Sequence, residues 1–404
     1  MSDVLAGIKV IEVSQYAFVP AAGATLADWG ADVVKVVHPL YGDVMYTAHA
    51  AGLAPKEDGT AFMWETANRN KRSIGIDIAR DEGREVLFDL IREADVFVTN
   101  FLGPARDRLK IDHGDIWAVN PDMIYARGTG QGSRGPERDA GGFDSVSFWC
   151  RSGWANPLAS AAGKFLYQPA PGCGDLLSGF ALASGIVAAL FKRQRTGETS
   201  IVDVSLMGTG VWGMAGSIAA SDLYDQPTIP IREKRDVGNA LLSGYRTKDD
   251  RYILISAIRH DVGFEDLADR VGRPEWRDDP RFATHDARLR NHSAFVEVLD
   301  EAFAQRTLLE WREALAGMEI PWGVVQNTGE VALDPQSIDN GYVQEVVKPS
   351  GRRIRLASTP VQFDNEAPKL RPAPEPGQQT EEILRELGRS WEEIATLKDE
   401  GAVS

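Results

Sequence analysis

Short runs of β-branched and other apolar residues alternate with helical patterns along the first 130 residues of the chain. The runs cover residues 8–13, 32–37, 73–78, 95–101 and 122–128. A helical pattern covers residues 81–92, and Pro20 and Gly30 suit the first turn and the end of a helix between the first two runs. Because this alternation is typical of a parallel sheet covered by helices, the sequence predicts an α/β fold.

Glycine becomes frequent directly after the fifth run, in GTGQGSRG (128–135) and DAGGFD (139–144). This density predicts loops at the carboxyl end of the sheet, where open α/β folds bind their ligands. An apolar helix is predicted over 176–191, followed by basic residues and Gly197 at its end, and a further strand over 201–206.

The pattern changes near Asp222. The segments YRT and RYILIS flank the polar triplet KDD and predict a hairpin, and helical segments with exposed charges follow. We therefore expect a smaller α+β domain over residues 225–330. A Pro-rich stretch then leads to two amphipathic helices, and the second of these is predicted to begin with a capping box of Ser390 and Glu393.

Composition limits the classes of function. The 404 residues are 43% hydrophobic and carry a formal charge of −15, so the chain can bury a sizeable core and its surface repels nucleic acids and anionic membranes. Its two cysteines, Cys150 and Cys173, indicate a reducing compartment, by default the cytoplasm. The N-terminus lacks the pattern of a signal peptide, and the apolar run 176–191 is shorter than the ~20 residues that span a bilayer.

Several cofactor and catalytic motifs are missing from the sequence. The first strand is not followed by G-x-G-x-x-G, and neither a P-loop nor a G-x-S-x-G elbow occurs. The six histidines and two cysteines show no metal-ligand spacing. The sequence therefore predicts no nicotinamide cofactor, no other permanently bound cofactor and no metal.

Two polar segments are candidates for chemistry, and each also has a structural explanation. The cluster NRNKRS holds Arg69, Lys71 and Arg72 and is either a solvated charged loop or a clamp for phosphates. Asp175, in PAPGCGDLLSG, is either the N-cap of the following helix or an ionised carboxylate that faces a cleft as a nucleophile. The glycines just before Asp175 would let a bulky ligand approach closely.

Several segments together resemble the class III coenzyme A transferases, a family that includes carnitine-CoA transferase, formyl-CoA transferase and α-methylacyl-CoA racemase. The matching segments are GIKVIEVSQYAFVPAAGATLADWGADVVKVVHP, NRNKRSIGIDI, ADVFVTNF with the later RDRL, Gly142-Phe143-Asp144, and GCGDLLSGFALASGIVAALFKRQRTGE. The resemblance extends from about residue 5 to 395. It is most specific in LADWGADVVKV, NKRSI and the G-D-x-x-x-G around Asp175.

The resemblance implies a fold and a reaction. It implies a Rossmann-like large domain with a parallel sheet built from both chain ends, residues 1–224 and 331–404, a small domain over 225–330, and an interlocked homodimer. It implies that Asp175 attacks an acyl-CoA, giving an aspartyl anhydride and then an aspartyl-CoA thioester, before CoA passes to a carboxylic acid. Backbone amides of VGNALLSG, in the small domain, would shield or stabilise the oxyanions.

The resemblance also assigns contacts with CoA. Ser14, Gln15, Tyr16 and Ala17 would meet pantetheine and adenine, Lys71, Arg72 and Arg108 the phosphates, and His38, Asn100, Phe101, Phe143 and Asp144 further parts of the ligand.

Three departures from the family pattern bear on the substrate. Phe143 replaces the histidine of G-H-D in the racemase branch, so exchange of an α-proton lacks one base. GNALLSG replaces the glycine run of formyl-CoA transferases, and Ala48 falls near the position of a tryptophan that meets an oxalate-sized substrate. The sequence therefore favours a CoA transferase that does not use formate or oxalate. An acyl-CoA racemase or isomerase, and a non-catalytic acyl-CoA-binding homologue, are the alternatives.

Three aromatic residues follow Asp144, namely Phe148, Trp149 and Trp154. They either line the acceptor pocket, which would favour an apolar or aromatic acid, or pack in the core or at a dimer interface.

Overall fold

Two compact units make up the chain in this structure, a computed structural model that describes residues 4–47, 61–163, 170–228, 233–258 and 262–404. The large unit is Met1–Thr228 with Asp334–Ser404, and the small unit is Ile229–Leu333. Ala48 lies outside the described residues.

A six-stranded parallel sheet forms the centre of the large unit. Its strands are β1 (Lys9–Val13), β2 (Asp32–Val37), β3 (Arg72–Gly75), β4 (Val96–Thr99), β5 (Ile124–Thr129) and β6 (Ile201–Ser205). They lie in the order β3-β2-β1-β4-β5-β6, which reverses between β1 and β4 and so opens a crevice at their carboxyl ends. The predicted α/β fold is confirmed.

Helices cover this sheet. Those of the first chain segment are α1 (Phe18–Asp28), α2 (Phe62–Asn68), α3 (Asp81–Arg92), α4 (Gly103–Leu109), α5 (His113–Val119), α6 (Ala155–Ala162), α7 (Cys173–Thr196), α8 (Leu206–Gly213) and α9 (Ala215–Leu223), with a π-helix at Asp144–Cys150. The prediction of α3 is confirmed at both ends, because its apolar face and its acidic first turn agree with the helical pattern.

The long helix α7 packs against α1 in the core. Gly179 makes this contact close, since a Cβ on it would stand 2.6 Å from the Cβ of Ala21. Leu182 and Ile186 of α7 are fully buried. Within the described residues, α7 is the one helix long and apolar enough to cross a membrane, but its buried side chains are those of a core helix. The helix has 24 residues, so the predicted range of 176–191 is too short.

The small unit has its own sheet and core. Its elements are β7 (Leu242–Arg246), β8 (Tyr252–Ser256), α10 (Phe264–Arg270), α11 (His285–Arg290), α12 (His292–Phe303), α13 (Leu308–Ala314), β9 (Trp322–Val324) and α14 (Thr328–Val331), with 3₁₀ turns at Lys234–Asp236 and Pro274–Arg277. The predicted hairpin is confirmed as the antiparallel pair β7–β8. Tyr245, Phe303 and Trp311 stack in the core between the sheet and the helices.

The last segment returns to the large unit. It forms α15 (Pro335–Asp339), the antiparallel pair β10 (Val343–Val347) and β11 (Arg353–Ala357), α16 (Thr380–Glu386) and α17 (Trp391–Asp399). The capping box of Ser390 and Glu393 at α17 is confirmed. Within the described residues, all six strands of the parallel sheet precede this segment, so the expectation that both chain ends build the sheet is wrong. The returning chain instead hydrogen-bonds at the β3 edge, from Gln379 to Ser73 over 2.8 Å and from Ser404 to Gly75 over 3.2 Å.

A buried group of charges joins the first strands beneath the crevice. Lys35 of β2 lies 3.0 Å from Glu12 of β1 and 2.9 Å from Asp43, and all three side chains are at most 1% exposed. Lys71 contacts the other oxygen of Glu12 at 2.7 Å. Each buried charge has an opposite partner, which is the condition for tolerating charges in a protein interior.

We expect Lys35→Met to lower the free energy of unfolding by about 3–5 kcal/mol, because Glu12 and Asp43 would lose their shared cation while still buried. Lys9→Met, on the neighbouring strand β1, is the control: Lys9 pairs with Glu93 at the surface, where both side chains are about half exposed, and should cost less than about 1 kcal/mol. Equilibrium urea denaturation measures both. Equal losses would contradict a structural role for the buried charges.

Candidate active site

A cavity of about 760 Å³ opens at the carboxyl ends of β1, β4 and β5. Its walls come from the residues after β1, the residues after β4, the glycines at the end of β5, the start of the π-helix and the start of α7. Ligands of open α/β sheets bind at this position, next to the reversal of strand order.

Asp175 lies in the first turn of α7 and lines this cavity. Because the helix begins at Cys173, the N-cap is Gly172, with a φ of 67°, and the predicted N-cap role of Asp175 is wrong. The carboxyl group still lies near the positive end of the helix dipole. Burial and the charge of Asp144 outweigh that attraction and raise the pKa of Asp175 to about 8. Burial and Asp144 thus both favour the protonated form of this carboxyl group, against the expectation that Asp175 stays ionised.

Asp144 is the second acid of the cavity. It begins the π-helix and is 5% exposed. Burial raises its pKa to about 6, although the Trp149 indole and the backbone N–H groups of Gly172 and Gly174 favour the carboxylate. A Cβ on Gly174 would collide with the Asp144 carboxyl group, so this glycine allows the π-helix to pack against the start of α7. The two acids interact and titrate as a pair.

The turn after β1 forms another wall. The Gln15 N–H donates to Asn100 Oδ1 over 3.0 Å, and the Asn100 amide donates to the Gln15 carbonyl over 2.6 Å. Tyr16 has a φ of 66°, a left-handed conformation that is costly for a residue other than glycine. The Tyr16 N–H donates to Asp43 Oδ1 over 3.3 Å, and the same oxygen accepts the Met45 N–H over 2.8 Å. These bonds fix the ends of β1 and β4 relative to each other.

Apolar side chains form much of the remaining lining. The rings of Tyr16 and Phe143 meet edge to face, with 5.2 Å between their centroids. Helix α2 contributes Phe62 and Met63, and a Cβ on Gly172 would stand 2.6 Å from the Met63 methyl group. The cavity therefore combines two acids with a surface that favours the loss of water.

Known proteins are similar to this chain over nearly its whole length. The profile of CoA-transferase family III matches residues 5–380. The (R)-2-hydroxy-4-methylpentanoate CoA-transferase of Clostridioides difficile is 32% identical over 400 residues, which cover 99% of each chain. The chain belongs to CoA-transferase family III.

Two further proteins resemble this CoA-transferase over most of its length. The cinnamoyl-CoA:phenyllactate CoA-transferase of Clostridium sporogenes is 28% identical over 98% of this chain and 96% of its own. The solved structure of a CAIB/BAIF family protein from Brucella suis is 27% identical and has a TM-score of 0.80, with 95% of this chain and 99% of that chain covered. The resemblance seen in the sequence motifs is thus confirmed, and the protein is an enzyme of CoA transfer.

The structure brings many of the predicted CoA residues together in this CoA-transferase. The residues that line the large cavity are Gln15, Tyr16, Ala17, Asn100, Phe101, Phe143, Asp144 and Asp175. Ser14 and His38 line a second cavity of about 140 Å³, which shares Gln15 and Phe101 with the first. The two cavities are therefore adjacent parts of one crevice.

His38 lies at the end of β2, in the smaller cavity. Its Nδ1 accepts the Leu40 N–H over 3.1 Å, which leaves the ring proton on Nε2, 3.9 Å from the Asp77 carboxylate. The imidazole also stacks near Tyr41, with 4.5 Å between the ring centroids.

Lys71 lies in the interior and lines neither cavity. It donates to three acceptors inside the protein, Glu12 Oε2 at 2.7 Å, the Pro20 carbonyl at 2.8 Å and Asn68 Oδ1 at 2.9 Å. These bonds occupy all three protons of an ammonium group, so none is left for a phosphate.

Arg72 and Arg108 are likewise not brought to the cavities. Arg72 lies 2.6 Å from Asp32 and 2.8 Å from Glu386, and Arg108 is exposed on α4. Because Arg69 and Lys71 are each only 5% exposed, the hypothesis that NRNKRS is a solvated loop is wrong.

Phe148, Trp149 and Trp154 pack on one another, with 5.7 to 5.9 Å between ring centroids. Phe148 and Trp149 are 1% and 7% exposed, and none of the three lines either cavity. Of the two sequence hypotheses for these aromatics, packing in the core is the one that the structure supports.

Sequence reasoning missed several lining residues, among them Asp43, Phe62, Met63 and Arg138. Asp43 carried a weak signal, because it is a polar residue in the loop that follows β2. Phe62 and Met63 carried no sequence signal, since only the folded chain brings α2 next to Gly172. Arg138, at the exposed side of the large cavity, lay in a glycine-rich stretch that indicated only a loop.

We expect Gly172→Ala to lower the rate of CoA transfer at least roughly tenfold. The added methyl group would displace Met63 beside Asp175, and the Asp175 carboxyl group would then be misaligned with the substrate. Gly197→Ala, at the other end of α7, is the matched control. Both glycines have a positive φ, 67° and 73°, so each substitution costs roughly 1–2 kcal/mol in strain. Only at Gly172 would the new methyl group meet a neighbour, Met63. Activity assays and thermal unfolding of both variants measure the two effects, and equal activities would contradict a site at this end of α7.

Proposed function

We propose that this family III CoA-transferase moves CoA from an acyl-CoA to a free carboxylic acid through covalent intermediates on Asp175. The observation that carries the proposal is the position of this acid, in the first turn of α7 and facing a cavity of about 760 Å³. The relative from Clostridium sporogenes, named a cinnamoyl-CoA:phenyllactate CoA-transferase, supports the same reaction type.

The proposed reaction has four displacements. The Asp175 carboxylate attacks the thioester carbon, the C–S bond breaks, and an aspartyl acyl anhydride and CoA thiolate form. The thiolate attacks the aspartyl carbonyl, which releases the donor acid and leaves an aspartyl-CoA thioester. The acceptor carboxylate attacks that thioester to give a second anhydride and CoA thiolate. The thiolate then attacks the acceptor's carbonyl, which forms the new acyl-CoA and restores Asp175.

The environment of Asp175 suits this role. A carboxylate is a weak nucleophile, so it depends on close placement of the thioester and on exclusion of water, which would hydrolyse the anhydride. Gly172, which has no side chain, lines the cavity beside the carboxyl group, and the apolar lining disfavours water. Phe143 has no ionisable group, so it supports transfer rather than exchange of an α-proton.

We propose that CoA occupies both cavities. Gln15, Tyr16 and Asn100 would contact pantetheine, and Ser14 and His38 in the smaller cavity would contact the adenosine. The phosphates would meet Arg108 and Arg138, which are exposed and therefore able to reach them. Lys71 and Arg72 would support the walls from inside rather than touch the ligand.

We further propose a cytoplasmic, Rossmann-like enzyme that is an interlocked homodimer. The free thiols of Cys150 and Cys173 support the reducing compartment, and the strand order supports the fold. Trp212 on α8 is 81% exposed and Leu223 on α9 is 74% exposed, and such apolar surface marks a protein interface. Sedimentation of the chain at the mass of a single copy would contradict the dimer.

Incubation with an acyl-CoA should leave an acyl or CoA adduct on Asp175 that hydroxylamine removes. Mass spectrometry of the digested protein locates the adduct. Asp175→Asn should form none and should lose at least roughly 10³-fold in activity, because an amide is not nucleophilic. Asp81→Asn, an exposed acid on α3, should keep both the adduct and the activity. An adduct on another residue would overturn the assignment of Asp175.

The rate of transfer should rise with pH, reach half of its maximum near pH 8 and level off above that pH, because the raised pKa of Asp175 to about 8 leaves its nucleophilic form scarce at neutral pH. Asp144→Asn removes the neighbouring negative charge, which lowers the pKa of Asp175 and should move the profile to lower pH. The pH dependence of kcat/KM measures the shift, with Asp81→Asn as the control that leaves the profile in place. A profile unchanged by Asp144→Asn would show that the two acids do not interact.

A further inference from the structure

Met63 stands directly beside the proposed nucleophile. A Cβ built on Gly172 would lie 2.6 Å from the Met63 methyl group and 3.6 Å from its sulfur. The same point is 3.9 Å from Asp175 Oδ2. A thioether side chain is polarisable and adapts its shape to apolar groups. The space next to the reacting carboxyl group is therefore bounded by an apolar, adaptable side chain.

Two phenylalanines extend this apolar surface into the open cavity. Phe143 is 54% exposed and Phe62 44%, although both are large apolar side chains that would normally be buried. Phe143 directly precedes Asp144, and its ring is held edge to face by Tyr16. Exposed apolar surface inside a cavity is stabilised when an apolar ligand covers it.

The charges of the cavity oppose a second negative group on the substrate. Asp144 and Asp175 are both acids, and the charge of Asp144 already raises the pKa of Asp175. The cations among the described lining residues are Arg106 and Arg138. Arg106 is engaged by Asp112 at 2.7 Å and by the Phe101 carbonyl at 2.6 Å, and Arg138 lies at the exposed side, 3.2 Å from Asp139. A substrate carboxylate buried near the two acids would therefore meet like charge, while the two arginines are already paired with acids of the protein.

We propose that the acyl group of the substrate is an apolar monocarboxylic acid with a branched or aromatic end, bound against Met63, Phe62 and Phe143. This inference rests on the proposed function of the same site. Phe143 and Met63 then determine specificity, because they cover the end of the acyl group that distinguishes one substrate from another. Dicarboxylic acyl groups are rejected by the apolar surface and by the two acids.

The proposal is tested with two thioesters of similar size, one that ends in a carboxylate and one that ends in an apolar group. Succinyl-CoA and 4-methylpentanoyl-CoA have the same chain, and an isopropyl group replaces the distal carboxylate in the second. Exchange of each isotope-labelled free acid into its own CoA thioester, followed by mass spectrometry, needs no further substrate. We expect kcat/KM to be at least roughly 100-fold higher for the 4-methylpentanoyl pair, and also high for 3-phenylpropanoyl-CoA with its acid.

Two variants separate specificity from general damage. Phe143→Ala should lower kcat/KM for 3-phenylpropanoyl exchange roughly 10- to 100-fold more than it lowers kcat/KM for acetyl exchange, because acetate does not reach the lost ring. Phe191→Ala is the matched control, since Phe191 is 58% exposed on α7 but does not line the cavity. It should alter neither reaction.

The outcomes distinguish this inference from the proposed function. Equal or faster exchange of succinate, or an equal effect of Phe143→Ala on acetyl and 3-phenylpropanoyl exchange, would overturn the apolar substrate while leaving CoA transfer through Asp175 intact. Absence of exchange with every acid, together with no adduct on Asp175, would overturn the proposed function itself.

Discussion

The buried contact between Lys35 and Asp43 is the interaction on which the crevice depends. One oxygen of Asp43 pairs with Lys35, and the other accepts the backbone N–H groups of Tyr16 and Met45. Lys35 in turn reaches Glu12 and the Ser14 carbonyl, so the end of β1 and the loop after β2 are held by one ammonium group. Since a left-handed Tyr16 persists only where its surroundings impose it, these charges maintain this wall of the cavity.

This arrangement also explains why the basic cluster before β3 is buried. Lys71 neutralises the second oxygen of Glu12, which would otherwise carry an unmatched charge beneath the sheet. The same motif that resembles a phosphate clamp therefore serves the interior in this structure. A cation in a loop near a ligand site need not touch the ligand. Acids on neighbouring strands compete with the ligand for the cation and can bind it in the interior.

Local patterns predicted the elements whose partners are close in sequence. The apolar runs of β1 and β2, the helix α3, the hairpin β7–β8 and the capping box at Ser390 all depend on residues within one or two turns of each other. The start of α7 was misplaced because glycines at 172 and 174 resemble a loop, whereas Gly174 is inside the helix to admit Asp144. The strand-end residues allowed the candidate site to be predicted from the sequence. The position of Met63 at the site and the burial of Lys71 depend instead on contacts between distant parts of the chain. No local pattern encodes those contacts.

The apolar lining has two consequences for the chemistry that oppose each other. It removes water from Asp175, which would protect the proposed anhydride and strengthens every electrostatic interaction in the site. The same desolvation raises the pKa of Asp175 to about 8, so fewer enzyme molecules carry the nucleophilic carboxylate at neutral pH. A carboxylate of higher pKa is, however, more basic and more nucleophilic once ionised, which compensates part of that loss. The helix N-terminus limits the rise, because its dipole favours the charged form of an acid in the first turn. The placement of Asp175 at the start of α7, rather than in the middle of an apolar wall, therefore keeps its ionisation within reach of neutral pH.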